Sequence, residues 1–213
     1  MEHLLPIGLG AASGFALKKT INWVDVDSFK INNNNFFLEL LCPIPWIWSF
    51  MNLPAFDAII FSIITIALIG ISIIDLFTMQ IPLIFILIGL LAILLSIIKK
   101  SIYISSAVYG IFVGAIIPVL IMGLLWFITK RQGMGYGDIQ LGFVLGAWLG
   151  PMRMALTLFF ASVLSLIAWI ILSMIHGFDK NRAVPLGPFL SVAGIGIYVG
   201  SFYYPELFHL LII

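Results

Sequence analysis

The sequence predicts an all-α protein, a polytopic membrane helix bundle of about eight transmembrane helices that forms one membrane-embedded domain over residues 1–213. Of the 213 residues, 62% are hydrophobic and 9% are charged, and the mean hydropathy is +1.21. A soluble globular protein is about half apolar and about a quarter charged, so this chain has too little polar surface for a water-soluble fold. The apolar residues also form long runs, which fold as helices in lipid because the backbone must satisfy its own hydrogen bonds.

Eight apolar runs are candidate spans. In chain order they cover residues 4–17, 36–52, 55–74, 83–98, 103–128, 139–150, 154–176 and 188–211. The 20 residues of 55–74 would form a helix of about 30 Å, which is the thickness of the hydrocarbon layer. Two runs are less regular, since 36–52 contains Glu39 and two prolines and 139–150 would reach only about 18 Å. The run 4–17 ends at two lysines rather than at a small-residue cleavage site, so we expect a retained anchor.

The basic residues favour an orientation with the N-terminus outside. If all eight runs span, seven of the ten lysines and arginines are cytoplasmic, whereas without 36–52 the best division is six to four. The cytoplasmic seven are Lys18, Lys19, Lys30, Lys130, Arg131, Lys180 and Arg182, and the outer three are Lys99, Lys100 and Arg153. The positive-inside rule therefore favours eight spans and places both Asp75 and Asp138 on the cytoplasmic side.

Composition also bears on possible partners, on metal and disulfide sites and on helix packing. The basic residues form no patch for nucleic acid, and the single cysteine, Cys42, permits neither an internal disulfide nor a zinc site. We expect a turn-like or disordered segment at 32–35, within the only sizeable polar stretch, 20–35. Glycines recur every four residues in three stripes, which lets membrane helices approach closely. We therefore expect these glycines to serve helix packing and to have no catalytic role. These stripes are Gly110 and Gly114, then Gly142, Gly146 and Gly150, then Gly196 and Gly200.

Three acidic residues lie between Phe56 and Phe178, namely Asp57, Asp75 and Asp138. An ionisable group at membrane depth is expensive, which makes each one a functional hypothesis. Asp57 lies at the predicted outer end of its span, where it can reach the headgroups. Asp75 ends a long apolar run, and Asp138 follows alternating glycines, whose backbone lets other groups approach closely. From the residues alone, catalysis or ion coupling by Asp75 and Asp138 and capping of helix ends both stay open.

Two facing aspartates suit peptide hydrolysis. One carboxylate acts as a base on a water molecule while its protonated partner donates to the carbonyl oxygen, so no metal and no cofactor is needed. Asp75 lies at the predicted C-terminal end of its helix, where the dipole disfavours negative charge. Asp138 lies at the predicted N-terminus of 139–150, where the dipole favours it. We therefore predict that Asp138 is ionised and that Asp75 holds the proton at rest.

Three motifs occur in a defined order. The first is Ile74-Asp75, followed by Ile81-Pro82; the second is Gly135-Tyr136-Gly137-Asp138, followed by Gln140 and by Gly146-Ala147-Trp148-Leu149-Gly150; the third is Val184-Pro185-Leu186-Gly187-Pro188-Phe189-Leu190. In this order, over about residues 36–200, they resemble the two aspartate motifs and the Pro-x-Gly-Pro-Phe element of the type IV prepilin peptidases. That family consists of GxGD membrane aspartyl proteases.

The resemblance implies an endopeptidase of the bacterial inner membrane, with its active site facing the cytoplasm. Its substrates would be type IV prepilins or pseudopilins, from which it removes a short basic leader after a glycine. Asp75 and Asp138 correspond to the family's two catalytic aspartates. The positions that would bind the substrate or shape the site are Gly135, Tyr136, Gly137, Gln140 and Pro82.

The chain departs from the family pattern in three places. Only 20–35 stands where family members carry an insert with two Cys-x-x-Cys pairs, so we predict cleavage without a zinc site. The methylation motif is only weakly echoed by Ala12-Ser13-Gly14-Phe15, which gives little support for N-methylation of the new N-terminus. Gln140 stands where lysine is usual, and a lost positive charge would destabilise an ionised aspartate if that side chain faced the site.

Several other functions are open to a membrane protein with buried aspartates. The presenilin and signal-peptide-peptidase class shares GxGD but carries Tyr-Asp and Pro-Ala-Leu motifs, which differ from Ile74-Asp75 and Pro185-Leu186 here. Rhomboid-like serine chemistry would need a histidine partner, yet the three histidines lie near span ends. A proton-coupled transporter predicts repeated halves, which the sequence does not show. An inactive relative would bind prepilins without cutting them, and the two intact aspartates argue against it.

Overall fold

The computed structural model describes residues 4–32, 34–129, 135–179 and 183–210. Regular secondary structure in these ranges is helical throughout and includes no strand, so the all-α prediction is confirmed. The chain divides into two compact units, Met1–Ile102 and Tyr103–Ile213. The single domain expected over residues 1–213 stays a prediction.

The first unit is organised around one long apolar helix. Its described helices are α1 (Leu4–Val24), a 3₁₀ turn (Val26–Ser28), α2 (Phe37–Leu41), α3 (Pro43–Asn52), α4 (Ala55–Thr78) and α5 (Leu83–Ile98). Helix α4 packs against α1, α3 and α5. Its residues Phe61, Ile64, Leu68 and Ile71 are fully buried, and their spacing of three or four places them on one face. This packing holds α4, which carries Asp75, at the centre of the unit.

Helix α1 continues beyond the predicted end at residue 17. Lys18 is only 4% exposed, because its ammonium forms an ion pair with Glu39 and donates to the carbonyl oxygen of Asn35 at 3.0 Å. The next residue, Lys19, is exposed. A charge with a well-placed partner can enter the interior, so the lysines do not end this helix. The predicted boundary was wrong for that reason.

The predicted span 36–52 forms two short helices, α2 and α3, that meet at Cys42. Cys42 itself has helical backbone angles (φ −65°, ψ −25°). Pro43 and Pro45 have no amide hydrogen, so the hydrogen-bond ladder of α2 cannot continue through them. The segment therefore forms two helices in succession rather than one continuous hydrogen-bonded helix.

The second unit contains the longest helix of the described chain. Its elements are α6 (Ile104–Ile111), a π-helical segment (Phe112–Ile116), α7 (Ile117–Thr129), α8 (Tyr136–His176), α9 (Gly187–Tyr203) and α10 (Pro205–Leu210). The elements α6 to α7 follow one another directly and match the predicted run 103–128. Helix α9 ends at Tyr203, not at residue 211, because Pro205 cannot continue the helix and restricts Tyr204 to a non-helical conformation.

Helix α8 bends sharply at Gly150, whose backbone angles (φ 77°, ψ 175°) are not helical. The carbonyl oxygen of Gly142 and the terminal methyl group of Met154 both lie against Gly114. In a straight helix, residues 142 and 154 would be separated by about 18 Å, so the two halves of α8 cannot be collinear. The bend falls at the predicted boundary between the runs 139–150 and 154–176.

Close glycine contacts hold α8 against α6 and the π-helical segment. The contacting pairs are Gly110 with Gly146 and Gly114 with Gly142. In both pairs, a Cβ atom would overlap a carbonyl group of the facing helix, which confirms the packing predicted for these two stripes. Gly196 and Gly200 of α9 have no atom within 4 Å of a built Cβ, so the prediction was wrong for the third stripe.

Among the described residues, three helices are long and apolar enough to cross a membrane by length and composition, namely Ala55–Thr78, Ile104–Ile128 and Tyr136–His176. The helices α5 and α9 are apolar but shorter. A membrane helix bundle is therefore supported, and the count of eight spans stays a prediction.

Candidate active site

Asp75 lies in the last turn of α4, three residues before the helix ends at Thr78. Met79 then adopts a left-handed conformation (φ 54°, ψ 32°), and its amide donates to the carbonyl oxygen of Asp75 at 2.9 Å. This arrangement closes the helix. The Asp75 side chain is 4% exposed. The predicted position at the C-terminal end of an apolar helix is confirmed.

The connection between α1 and α2 packs on this end of α4. The ring of Phe29 stacks on Phe77, with 4.8 Å between ring centroids and 18° between planes. The side-chain amide of Gln80 donates to Asp27 Oδ2 at 2.7 Å. A cavity of about 360 Å³ lies beside this stack and is lined in part by Ile73. The polar connection therefore covers the helix end that carries Asp75.

The described part of the segment 32–35 forms a turn. The amide of Asn34 donates to Asn32 Oδ1 at 3.0 Å, and the amide of Asn35 donates to the Asn32 carbonyl oxygen at 3.0 Å. These bonds are typical of an Asx turn. The turn-like alternative of the prediction is confirmed for these three residues, and Asn33 lies outside the described residues.

Pro82 shapes the start of α5. It is buried and extended (φ −68°, ψ 130°), and its carbonyl oxygen accepts the amide of Phe85 at 3.2 Å. Its ring offers no polar group, so its contribution to a site is one of shape. Asp75 and Pro82 thus lie on either side of the short connection between α4 and α5.

Asp138 is the third residue of α8, which begins at Tyr136 rather than at the predicted residue 139. Its Oδ2 accepts the amide of Gly135 at 3.2 Å, an arrangement in which a first-turn carboxylate caps its own helix. The Asp138 side chain is partly buried. A Cβ atom at Gly135 would lie 3.0 Å from that oxygen, so glycine leaves room for the carboxylate.

The other predicted residues of this helix start differ in exposure. Tyr136 is 71% exposed and lines a cavity of about 290 Å³ beside α7. Gly137 is partly buried, and Gln140 is exposed. Gln140 lies two residues after Asp138, and residues two apart on a helix do not share a face. A lysine at position 140 would therefore not face Asp138 along this helix.

The third motif forms the start of α9. Pro188 occupies the second helical position, where its missing amide hydrogen costs nothing, and Leu190 is fully buried. Four of the basic residues predicted to be cytoplasmic lie outside the described residues, namely Lys130, Arg131, Lys180 and Arg182.

Asp75 belongs to the first unit and Asp138 to the second. Their pairing and the protonation of each stay predictions. Within the described ranges, no three His, Cys, Asp or Glu side chains gather in a group that could hold a metal ion.

Sequence reasoning missed the buried pair of Lys18 and Glu39. A signal was available, because each charge interrupts an apolar segment and only a short polar connection joins the two segments. An unpaired charge in either segment would be costly, so two opposite charges in adjoining segments favour pairing.

The fold and these residues define an all-helical protein with membrane-length helices and an aspartate at the end of one of them. Residues 62–170, 109 of the 213, match the sequence profile of the type IV leader peptidase family. The matched range includes Asp75, Pro82, the stretch 135–138 and Gln140. The chain belongs to the type IV leader peptidase family.

Two relatives illustrate the similarity, and both are named prepilin leader peptidase/N-methyltransferase. The one from Pseudomonas putida is 31% identical over 157 residues, which cover 73% of this chain and 54% of the relative. The one from Dichelobacter nodosus is 35% identical over 104 residues, which cover 49% of this chain and 35% of the relative. The aligned part thus spans about half of these relatives or less. No solved structure matches the chain.

Proposed function

We propose that the chain is an aspartic endopeptidase of the bacterial inner membrane that removes the cytoplasmic leader from type IV prepilins or pseudopilins. Membership of the leader peptidase family carries this proposal, since the matched range 62–170 contains both candidate aspartates. The names of the two relatives, both prepilin leader peptidase/N-methyltransferase, support prepilins as the substrate class. The lipid bilayer is the expected solvent of the long apolar helices.

In this proposal, Asp75 and Asp138 act as a catalytic pair. Asp138 carries the negative charge, supported by the Gly135 amide that it accepts and by the positive end of the α8 dipole. Asp75 holds the proton, because burial and the negative end of the α4 dipole both disfavour its charged form.

Hydrolysis then proceeds by proton transfers without a covalent intermediate. Asp138 takes a proton from the attacking water while Asp75 donates its proton to the oxygen of the scissile carbonyl. The resulting diol collapses as Asp138 passes its proton to the leaving amine and Asp75 recovers a proton from the diol. Both carboxyl groups return to their starting states.

Methylation is not part of the proposal. The names of the relatives include N-methyltransferase, but the corresponding motif is only weakly echoed at 12–15 in this chain. Two alternatives keep the same aspartates: a proton-coupled transporter would not cut prepilins, and an inactive relative would bind them without cutting.

The test is cleavage of a prepilin by the purified protein in detergent, beside Asp75→Asn and Asp138→Asn. Asp57→Asn is the matched control, because Asp57 lies in the first turn of α4, at the opposite end from Asp75. We expect the wild type and the control to cut after the leader glycine and each dyad variant to be slower by about 10²- to 10⁴-fold. Retained cleavage in either dyad variant would disprove its assignment, and binding without cleavage by the wild type would favour the inactive relative.

A further inference from the structure

Arg153 lies in an aromatic setting just beyond the bend of α8. Its side chain is partly buried, and its guanidinium carbon lies 5.9 Å from the centroid of the Tyr198 ring on α9. The same ring stacks on the buried Trp148, with 4.8 Å between centroids and 15° between planes. Trp148 precedes the bend at Gly150 and Arg153 follows it, so the bend brings both residues to one tyrosine.

The positive charge of Arg153 has no carboxylate partner in the described part of the chain. The ion pairs of Lys18 with Glu39 and of Lys30 with Asp25 lie in the first unit and do not include Arg153. No acidic residue occurs between Asp138 and Asp179. Asp138 lies about 18 Å from Gly150 along the first half of α8.

The acidic residue that follows α9, Glu206, is exposed and forms no ion pair with Arg153. A partly desolvated guanidinium without a counter-charge is expensive in a membrane protein, and an aromatic face offsets only part of that cost. An anion from outside the chain would offset the rest.

We propose that Arg153 binds the phosphate of an anionic phospholipid headgroup, at the end of the first half of α8 opposite Asp138. The planar guanidinium offers several parallel donors that match phosphate oxygens. Tryptophan and tyrosine side chains are typical of the headgroup level, which is where a lipid phosphate lies.

The charge balance favours an anionic lipid over a zwitterionic one. The choline group of phosphatidylcholine would bring a second positive charge beside Arg153, whereas the glycerol headgroup of phosphatidylglycerol would not. The proposal is independent of the peptidase assignment, since Arg153 follows the bend rather than the helix start that carries Asp138.

The test measures lipid-dependent stability of the purified protein in detergent, with phosphatidylglycerol and phosphatidylcholine added at matched concentrations. Wild type is compared with Arg153→Gln and with Lys100→Gln. Lys100 is the matched control, because it is exposed, loses the same charge and lies on the same predicted side of the membrane.

We expect phosphatidylglycerol to raise the melting temperature of the wild type and of Lys100→Gln more than phosphatidylcholine does. In Arg153→Gln that preference is lost, and native mass spectrometry gives a phosphatidylglycerol affinity about tenfold weaker. Equal stabilisation of the wild type by both lipids would overturn the proposal, as would an unchanged preference in Arg153→Gln. An equal shift from inorganic phosphate alone would also overturn it, since the site would then take a free anion.

A second variant covers the case in which Arg153→Gln fails to fold, which circular dichroism detects. Arg153→Lys keeps the charge but loses the planar fork. We expect its phosphatidylglycerol affinity to fall several-fold, and an unchanged affinity would contradict the proposed phosphate contact.

Discussion

Alanine at Gly110 tests the close crossing of α6 and α8. A Cβ atom there would overlap the carbonyl oxygen of Gly146 and lie 2.7 Å from its carbonyl carbon and 2.9 Å from the Cα of Gly150. Carbon atoms in ordinary contact are about 3.5–4.0 Å apart, so the two helices must separate by about 1 Å. All three atoms belong to the backbone, so no side-chain rotation can relieve the overlap. Overpacking of this kind costs about 1–3 kcal/mol or more.

Gly123→Ala, in the adjoining helix α7, is the matched control. A Cβ atom there has no neighbour within 4 Å, so the alanine only improves helix propensity and stabilises by about 1 kcal/mol. Both alanines gain the same helix propensity, so the two variants should differ by the overpacking cost alone, about 1–3 kcal/mol in the free energy of unfolding, with Gly110→Ala the less stable. Equilibrium unfolding in mixed micelles, followed by circular dichroism, measures this difference. Equal stability of the two variants would refute the proposed backbone contact.

Two further substitutions probe the site and the first unit. Gly135→Ala should slow prepilin cleavage about tenfold in a steady-state assay with little change in stability, because its Cβ would lie 3.0 Å from Asp138 Oδ2 and displace that carboxylate. Lys18→Met should destabilise the fold by about 3–5 kcal/mol, because it leaves the Glu39 carboxylate largely buried without its partner. The double variant with Glu39→Leu should lose less, and equilibrium unfolding measures both.

Each of these two variants has a control at a residue of the same type that lacks the contact being tested, a glycine with open space beside it and an exposed lysine. Gly196→Ala has no neighbour within 4 Å and should leave cleavage unchanged. Lys19→Met removes an exposed charge and should change stability little. If Lys18→Met proved no more destabilising than Lys19→Met, the ion pair with Glu39 would not stabilise the fold.

The ends of the helices show where local sequence is sufficient. Helix α4 ends at Thr78, just past the apolar run that predicted it, where Met79 adopts a left-handed conformation and Pro82 follows three residues later. Pro205 likewise ends α9, and that boundary was visible in the sequence although the predicted run 188–211 passed through it. The end of α1 is different, because the burial of Lys18 within the helix depends on partners further along the chain, the Asn35 carbonyl oxygen and the Glu39 carboxylate.

The candidate site likewise contains some features that the sequence predicts and one that only the structure reveals. The motifs predicted aspartates at the C-terminal end of one apolar helix and at the N-terminal end of another, and the structure confirms both positions. The Gly135 amide bound by Asp138 follows from three-residue spacing at a helix start. Whether Gln140 faces Asp138 could be judged only from the observed start of α8. Because the helix begins at Tyr136, both residues lie within it, and residues two apart on a helix do not share a face.

The sequence by itself determined the helical class and the position of most helices, because long apolar runs in lipid leave the backbone no alternative to a helix. It also determined the family, through the three ordered motifs and the matched range 62–170. Tertiary structure alone decided which partners those helices meet. Gly110 and Gly196 have the same four-residue glycine spacing, yet one lies against a facing backbone and the other has no neighbour. Spacing specifies which face of a helix a residue occupies, whereas the neighbour of that face depends on how separate helices pack. The same reason explains why Lys18 is buried and why Arg153 lies on the Tyr198 ring.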